Sequence, residues 1–386
     1  MFDALPQSPF ARLTTLLEGS PPGASPIQMA LGEPQHPAPD FVGPAIASAV
    51  AQFGKYPPIQ GPDALRKAIA AWLARRYGLG EFIDPDRHIL PLVGTREGLF
   101  TAPFALNKKK TDRPAILIPN PFYQCYSAAA IAAGCEPIYV NATRETGFLP
   151  DFEELRPSTF NRTVAVYICS PSNPEGAAAT ASYWRSLFAL ADRFGFTIFA
   201  DECYAEIYDT APPCGALEIR HQDGGGFDKV VAFHSLSKRS SLPGLRSGFA
   251  AGDDAFMARF RSFRNVAGAT MPLPLAAASA EVWSDEEHVV ANRALYRAKF
   301  DLAERIIGNR FGFKRPDGGF FLWLETGDGE AAAKRLWTEG GVRVLPGTYL
   351  AQDTAEGNPG RNYVRIALVN DFATTEEALR RIAQIL

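Results

Sequence analysis

The chain has 386 residues, 46% of them hydrophobic and 21% charged, with a formal net charge of −3. That is the balance of a soluble globular protein with length enough for about two domains. That net charge and a pI near 6.0 give no electrostatic footprint for nucleic acid or an anionic membrane, and no run reaches the roughly 18 apolar residues of a membrane helix. Cys125, Cys135, Cys169, Cys203 and Cys214 are odd in number and form no C-x-x-C pair, and the five histidines show no metal-ligand spacing. This pattern predicts reduced thiols in a cytoplasmic setting, without disulfides or a metal.

Met1-Phe-Asp-Ala-Leu-Pro6 lacks the basic and apolar regions of a signal peptide. A short amphipathic piece, Phe10 to Leu17, runs into a Gly/Pro/Ser cluster that reads as a loop or arm. Ile27-Gln-Met-Ala-Leu-Gly32-Glu-Pro34 is an apolar segment stopped by glycine and proline. Gly32 is either a plain turn or a place where backbone approaches a ligand closely. Lys55-Tyr56-Pro-Pro is turn-rich and precedes a helix carrying Leu65, Ile69, Trp72 and Leu73, stopped near Gly78.

From residue 88 to about 251, apolar runs alternate with helical patterns, which predicts a mostly parallel sheet between helices. The runs are His88–Val93, Pro114–Ile118, Cys135–Val140, Val164–Cys169, Phe196–Ala200 and Val230–Phe233, with another after Arg246. Just past their C-terminal ends stand Gly94, Tyr123, Asn173, Asp201 and Lys238, on the edge where open α/β sheets bind ligands. Gly94-Thr95-Arg96 opens a helix reaching about Leu106, and a strand, a glycine turn and a helix start suit a phosphate. After Asp253 the pattern is helical to about Phe263, breaks at Met271-Pro-Leu-Pro274 and is helical again to about Ile307. Short strands and helices then alternate to Val369.

Three strand-end groups carry chemistry. Asp201 follows five mostly apolar strand residues, where a carboxylate needs a cationic partner, either a structural arginine or a protonated heterocyclic nitrogen. Lys238 stands in His234-Ser-Leu-Ser-Lys-Arg, with Ser235 three residues before it and Arg246 eight after it. A surface turn would use the same residue types. At a strand end facing a cleft, a partly desolvated lysine is instead a nucleophile that forms Schiff bases with carbonyls, including the aldehyde of pyridoxal phosphate. Arg365 sits alone in the apolar run Tyr363–Val369, an arginine that needs a carboxylate from the protein or from a substrate.

Together these residues meet the needs of that cofactor. Lys238 would hold the aldehyde, Asp201 the ring nitrogen, Asn173 and Tyr204 the ring oxygen and Tyr123 the ring face. Gly94, Thr95, Ser235 and Arg246 would hold the phosphate. Asn173-Pro-x-Gly, Asp201-x-x-Tyr204, Ser235-x-Ser237-Lys238 with Arg246, and Arg365 resemble the class I aminotransferases, the fold-type I pyridoxal phosphate enzymes. The resemblance spans about residues 27 to 370. It implies a large domain with a mostly parallel seven-stranded sheet, residues 41–280, and a smaller α+β domain, residues 281–386. Residues 1–40 form an arm and part of the small domain. It further implies that Arg365 grips a substrate α-carboxylate beside Gly32, and that Arg96 and Ser237 join the cofactor set. Tyr56 would reach the phosphate in a partner subunit's site, within a homodimer that shares its active sites. Lys238, Asp201 and Tyr204 would be catalytic.

Leu31-Gly-Glu-Pro-Gln-His36, Pro119-Asn-Pro-Phe-Tyr-Gln124, Asp201-Glu-Cys-Tyr204, Ser235-Leu-Ser-Lys-Arg-Ser240, Leu345-Pro-Gly347 and Val364–Leu368 further resemble the succinyldiaminopimelate aminotransferases of bacterial lysine biosynthesis. These exchange an amino group between glutamate and the keto form of N-succinyl-diaminopimelate. Ser241 and Glu175 depart from that family, which usually has Asn and Thr there. Both substrates carry a distal carboxylate, for which Arg96, Arg239 and Arg264 are the candidate cations. An aminotransferase of another specificity or a β-lyase would share the scaffold. A pyridoxal-binding regulator would need an added DNA-binding domain, and an NAD enzyme a G-x-G-x-x-G after the first strand; neither is present.

Overall fold

The computed structural model describes residues 7–107 and 111–386; the Met1–Pro6 segment read for a signal peptide lies outside the described residues. The alternating apolar runs become seven strands. They are β1 (Ile89–Leu92), β2 (Ala115–Asn120), β3 (Glu136–Asn141), β4 (Thr163–Cys169), β5 (Thr197–Asp201), β6 (Val230–Ser235) and β7 (Gly248–Gly252). They form one sheet in the order β1-β7-β6-β5-β4-β2-β3. All pairings are parallel except those of β7, which runs against both β1 and β6. A sheet covered on both faces needs apolar residues at both parities, hence the unbroken runs. Leu117, Val230 and Ala232 face one apolar cluster, around Trp72, Trp184 and Trp283. Ile116, Ile118, Val231 and Phe233 face the other, around Tyr126, Tyr167 and Phe260.

A smaller layer follows. The strands β8 (Phe321–Glu325), β9 (Leu345–Pro346) and β10 (Tyr363–Ala367) form an antiparallel sheet in the order β9-β10-β8. Helices Glu287–Ile307, Gly329–Gly340 and Phe372–Ile385 enclose it over a core including Leu322, Leu336, Ile366 and Leu379. The N-terminal segment belongs to this layer by hydrogen bonding: Ile27–Gln28 pairs in parallel with Val342–Arg343, and Ala367 donates to the Met29 carbonyl.

One local reading differs from expectation. The helix opened by Gly94 ends as an α-helix at Thr101 and tightens to a 3₁₀ turn over Ala102–Ala105. Pro103 cannot donate into the ladder, and the Leu99 carbonyl it leaves free accepts from the Tyr167 hydroxyl at 2.6 Å. The stretch after Tyr123 is the helix Gln124–Ala132. Its run of alanines carries no polar face, so it shows no helical alternation to read.

Candidate active site

The C-terminal ends of β2, β4, β5 and β6 open into a cavity of about 520 Å³. It is lined by Gly32, Thr95, Arg96, Tyr123, Asn173, Asp201, Tyr204, Ser235, Ser237, Lys238, Arg246 and Arg365, and by Phe10 from the N-terminal helix. Of the fourteen positions assigned from sequence to catalysis, cofactor or the substrate α-carboxylate, twelve therefore share one wall.

The first of the other two, Gly94, supports the wall from behind. At φ 78° it holds a backbone conformation that glycine adopts freely, and a Cβ there would lie 2.2 Å from Arg246 Nη2. The missing side chain is the space that the guanidinium of Arg246 occupies. Tyr56, by contrast, is fully exposed and outside the cavity.

Asp201 ends β5 with 5% of its surface exposed. Burial raises its carboxyl, while the Tyr126 hydroxyl at 2.6 Å and the Cys203 amide at 3.3 Å favour the ionised form. The next residue, Glu202, points the other way and accepts from the Tyr77 hydroxyl and the Ala216 amide. Strand alternation thus separates a carboxylate facing the cavity from one that serves the framework.

Lys238 stands in the short helix Leu236–Arg239 that follows β6. Burial pushes its amine down to about 8, and Nζ donates to the Gly32 carbonyl. Phe320 and Tyr204 present their rings to Nζ, with centroids 5.2 and 5.9 Å away. Within the lining, Ser235 Oγ accepts from the Ser237 amide and Arg246 donates to the Pro243 carbonyl at 2.8 Å.

Arg365, on β10, is 4% exposed and rests over the Phe321 ring at 4.4 Å. Its hydrogen-bond partners are neutral: Asn173 Oδ1 at 2.9 Å and the Ala30 carbonyl at 2.8 Å, with Nε unpartnered. Burial lowers it to about 10. A guanidinium enclosed without a carboxylate is costly unless an anionic ligand completes it.

The three arginines raised for a distal carboxylate separate. Arg239 is buried against the carbonyls of Val282 and Asp285 and the Glu286 carboxylate, and Arg264 against Glu97 and the Ala269 carbonyl. Both are framework residues, already paired. Arg96 lines the cavity, exposed, with the Tyr123 hydroxyl as its partner.

Tyr126 and Cys203, which hold Asp201, were not singled out from sequence. Tyr126 lies three residues beyond Tyr123, the spacing that places both on one side of a helix start, and that spacing was the available signal.

The two departures from the resembling family also have local accounts. Ser241 sits at φ 52°, a left-handed conformation that asparagine tolerates better than most residues, and its hydroxyl donates to the His36 carbonyl at 2.8 Å. Glu175 packs behind Asn173 with Oε1 enclosed and unpartnered, and burial pushes its carboxyl up to about 8. Between about pH 4.5 and about pH 8 the folded chain therefore holds a proton that the unfolded chain has lost, and stability falls as pH rises. Glu175→Gln is expected to abolish that slope and melt higher than the native chain near pH 8; parallel melting-temperature profiles would contradict it.

The donor set fits pyridoxal phosphate. A buried carboxylate lacks a cation, a desolvated amine faces the same space, and hydroxyls and Arg246 gather on one side of it. Fold and site together define a fold-type I pyridoxal phosphate transferase. Residues 24–382 match the family described as aminotransferase class I and II, and the chain belongs to it.

The chain is 34% identical over 358 residues to the 4-dedimethylamino-4-oxo-anhydrotetracycline transaminase OxyQ of Streptomyces rimosus, covering 92% of each. It is 30% identical over 388 residues to an LL-diaminopimelate aminotransferase of Desulforudis audaxviator, covering 98% of this chain and 95% of that one. A solved aminotransferase from Neisseria meningitidis superposes with a TM-score of 0.95 at 41% identity, covering 99% of this chain and 98% of that one. The protein is thus a pyridoxal phosphate-dependent transaminase of amino and oxo acids.

Proposed function

We propose that this aminotransferase exchanges an amino group between glutamate and the keto form of N-succinyl-LL-2,6-diaminopimelate, in lysine and diaminopimelate biosynthesis. The observation that carries this reading is Arg365, a buried guanidinium with neutral partners and a free Nε, on the same cavity as an exposed second cation, Arg96. Arg365 would take the α-carboxylate and Arg96 the distal one, which both substrates carry. The diaminopimelate named for one relative supports a long dicarboxylic substrate.

Bound pyridoxal phosphate supplies an aldehyde that captures amines and a protonated ring that takes up the electron pair left by a departing Cα proton. The chain does the rest. Asp201 would keep the ring nitrogen protonated, Tyr204 and Asn173 would donate to the ring oxygen, and Tyr123 would cover the ring face. Thr95, Ser235, Ser237 and Arg246 would hold the phosphate. Arg365 and Gly32 would orient the substrate so that its Cα–H faces Lys238. The Lys238 amine would be the base that takes the Cα proton, and its lowered affinity for protons leaves a large neutral fraction near pH 8.

A second reading is favoured by Glu33. This carboxylate also lines the cavity and would pair with the free distal ammonium of LL-diaminopimelate, a charge the succinylated compound lacks. Steady-state kcat/KM for the two compounds decides between them. At least about tenfold preference for the succinylated one is expected, and preference for free LL-diaminopimelate would overturn the assignment. Arg96→Ala is expected to raise KM for either dicarboxylate about tenfold, with a smaller change in kcat.

The active unit is proposed to be a homodimer. Tyr56, Phe53 and Val50 stand exposed close together in the chain, and Tyr56 is outside its own cavity. If Tyr56 completes the partner's site, co-refolding equal amounts of Tyr56→Ala and Lys238→Ala chains yields heterodimers with one intact site. Recovery of about a quarter of native activity is expected, and no recovery would place Tyr56 outside the partner's site.

A further inference from the structure

Beside the cavity, a buried polar chain crosses from the small layer to the Lys238 turn, and none of its members contributes to the cavity lining. Asn292, on helix Glu287–Ile307, donates through Nδ2 to the carbonyls of Lys238 at 3.3 Å and Arg239 at 3.0 Å. With the amide nitrogen used as donor, its Oδ1 is the acceptor that meets His36 Nδ1 at 2.6 Å, so Nδ1 carries the imidazole proton. Nε2 is then a lone pair, and Lys299 Nζ donates to it at 2.7 Å. Lys299 also donates to the Leu368 carbonyl at 3.1 Å, one residue past the strand that bears Arg365. The His36 ring packs on Tyr296 at 4.4 Å, and the His36 carbonyl accepts from Ser241. Every bond from Lys299 through His36 and Asn292 to Lys238 runs in one donor direction, and only the neutral Nδ1–H form of His36 permits that.

We propose that His36 is a positioning residue for the transamination: as a neutral imidazole it locks the Gly32 loop, the end of the Arg365 strand and the main chain of Lys238 into one arrangement, and its protonation releases that lock. A proton on Nε2 would face the Lys299 amine donor to donor. Burial lowers the proton affinity of His36 below the ordinary histidine value, Asn292 opposes this, and the Lys299 charge reinforces it. Burial likewise brings Lys299 down to about 8, with Asp371 acting against it. Lys299 is the charged group that faces the ring, and Tyr296 is the other titratable neighbour on that helix. The lock is therefore intact at neutral pH and lost only in acid, beneath the ordinary histidine range. The inference rests on Lys238 as the reacting amine and is independent of which amino acid is processed.

The test is the kcat–pH profile of the cofactor-loaded enzyme with glutamate, from about pH 5 to about pH 8, for the native chain, Lys299→Met and His36→Phe. His36→Phe keeps a ring on Tyr296 but no polar atom. In the native chain, kcat is expected to show a second acid limb, below the one that Lys238 sets near pH 8, and this lower limb is the one read in the variants. In Lys299→Met the limb should move towards higher pH, because the charge that holds His36 deprotonated is gone. His36→Phe should lose the limb while running about tenfold to a hundredfold slower at neutral pH. A limb that stays in place in Lys299→Met and persists in His36→Phe would overturn the proposal. Nitrogen-15 spectra of histidine-labelled native holoenzyme provide a readout that needs no variant to fold. Five histidines make the spectrum tractable. A neutral Nδ1–H tautomer for the His36 ring is expected, and an Nε2–H tautomer would equally overturn the proposal.

Discussion

Lys238→Ala is expected to lower turnover by about 10⁴-fold or more, towards the limit set by losing a positioned acid–base group. Lys238 Nζ stands on a short helix held at its C-terminal carbonyls by Asn292, over the rings of Phe320 and Tyr204, on the cavity shared with Asp201 and Arg365. Among the described residues no other lysine lines that cavity, so none of them offers a substitute amine. Burial brings the amine to about 8, and only its neutral form attacks a carbonyl. The rate at which cofactor-free protein captures added pyridoxal phosphate should therefore rise with pH and level off above about 8. Lys238→Ala should show no such capture. A variant that still turned over at a tenth of the native rate would remove Lys238 from the reaction.

The second large effect is expected at Asp201. Asp201→Ala should still capture pyridoxal phosphate through Lys238 and the phosphate donors, yet turn over about 10² to 10⁴ times more slowly, the scale of removing one member of a buried charge pair. Burial works against the ionised carboxyl, which has the Tyr126 hydroxyl and the thiol and amide of Cys203 to support it but, among the described residues, no ion-paired cation. A protonated ring nitrogen would supply the missing charge, and the carboxylate would in return keep that nitrogen protonated. Tyr126→Phe should show a weaker form of the same defect, because it removes one of the donors to Asp201. Near-native rates in Asp201→Ala, measured with full cofactor occupancy, would remove the assigned role.

The large layer was legible because its strands are buried on both faces: runs such as Val164–Cys169 and Val230–Phe233 cannot be surface strands, and their ends mark the cavity edge. Asp201 and Lys238 were legible for a related reason, since charge at the end of such a run needs an explanation. The groups that act through other residues were not. Asn292 and Lys299 occupy buried positions of a long helix, where sequence shows only charged and polar residues at helical spacing. His36 is joined to them by 256 and 263 residues of separation, which no local pattern encodes. The distal-carboxylate arginine could not be chosen from sequence because Arg96, Arg239 and Arg264 differ only in what folds against them. Glu286 and Glu97 claim the latter two. Tyr56 shows the complementary case, a residue whose expected place lies outside its own chain.

The central claim is that this cavity carries a Lys238-bound cofactor that accepts an amino group from glutamate. Its most direct test is the visible absorption spectrum of the purified cofactor-loaded protein. The account predicts a yellow band that bleaches when glutamate is added and returns when 2-oxoglutarate follows, with both changes absent in Lys238→Ala. A band that glutamate leaves unchanged would contradict the donor assignment, and failure to form any band with added pyridoxal phosphate would contradict the assignment of Lys238 itself.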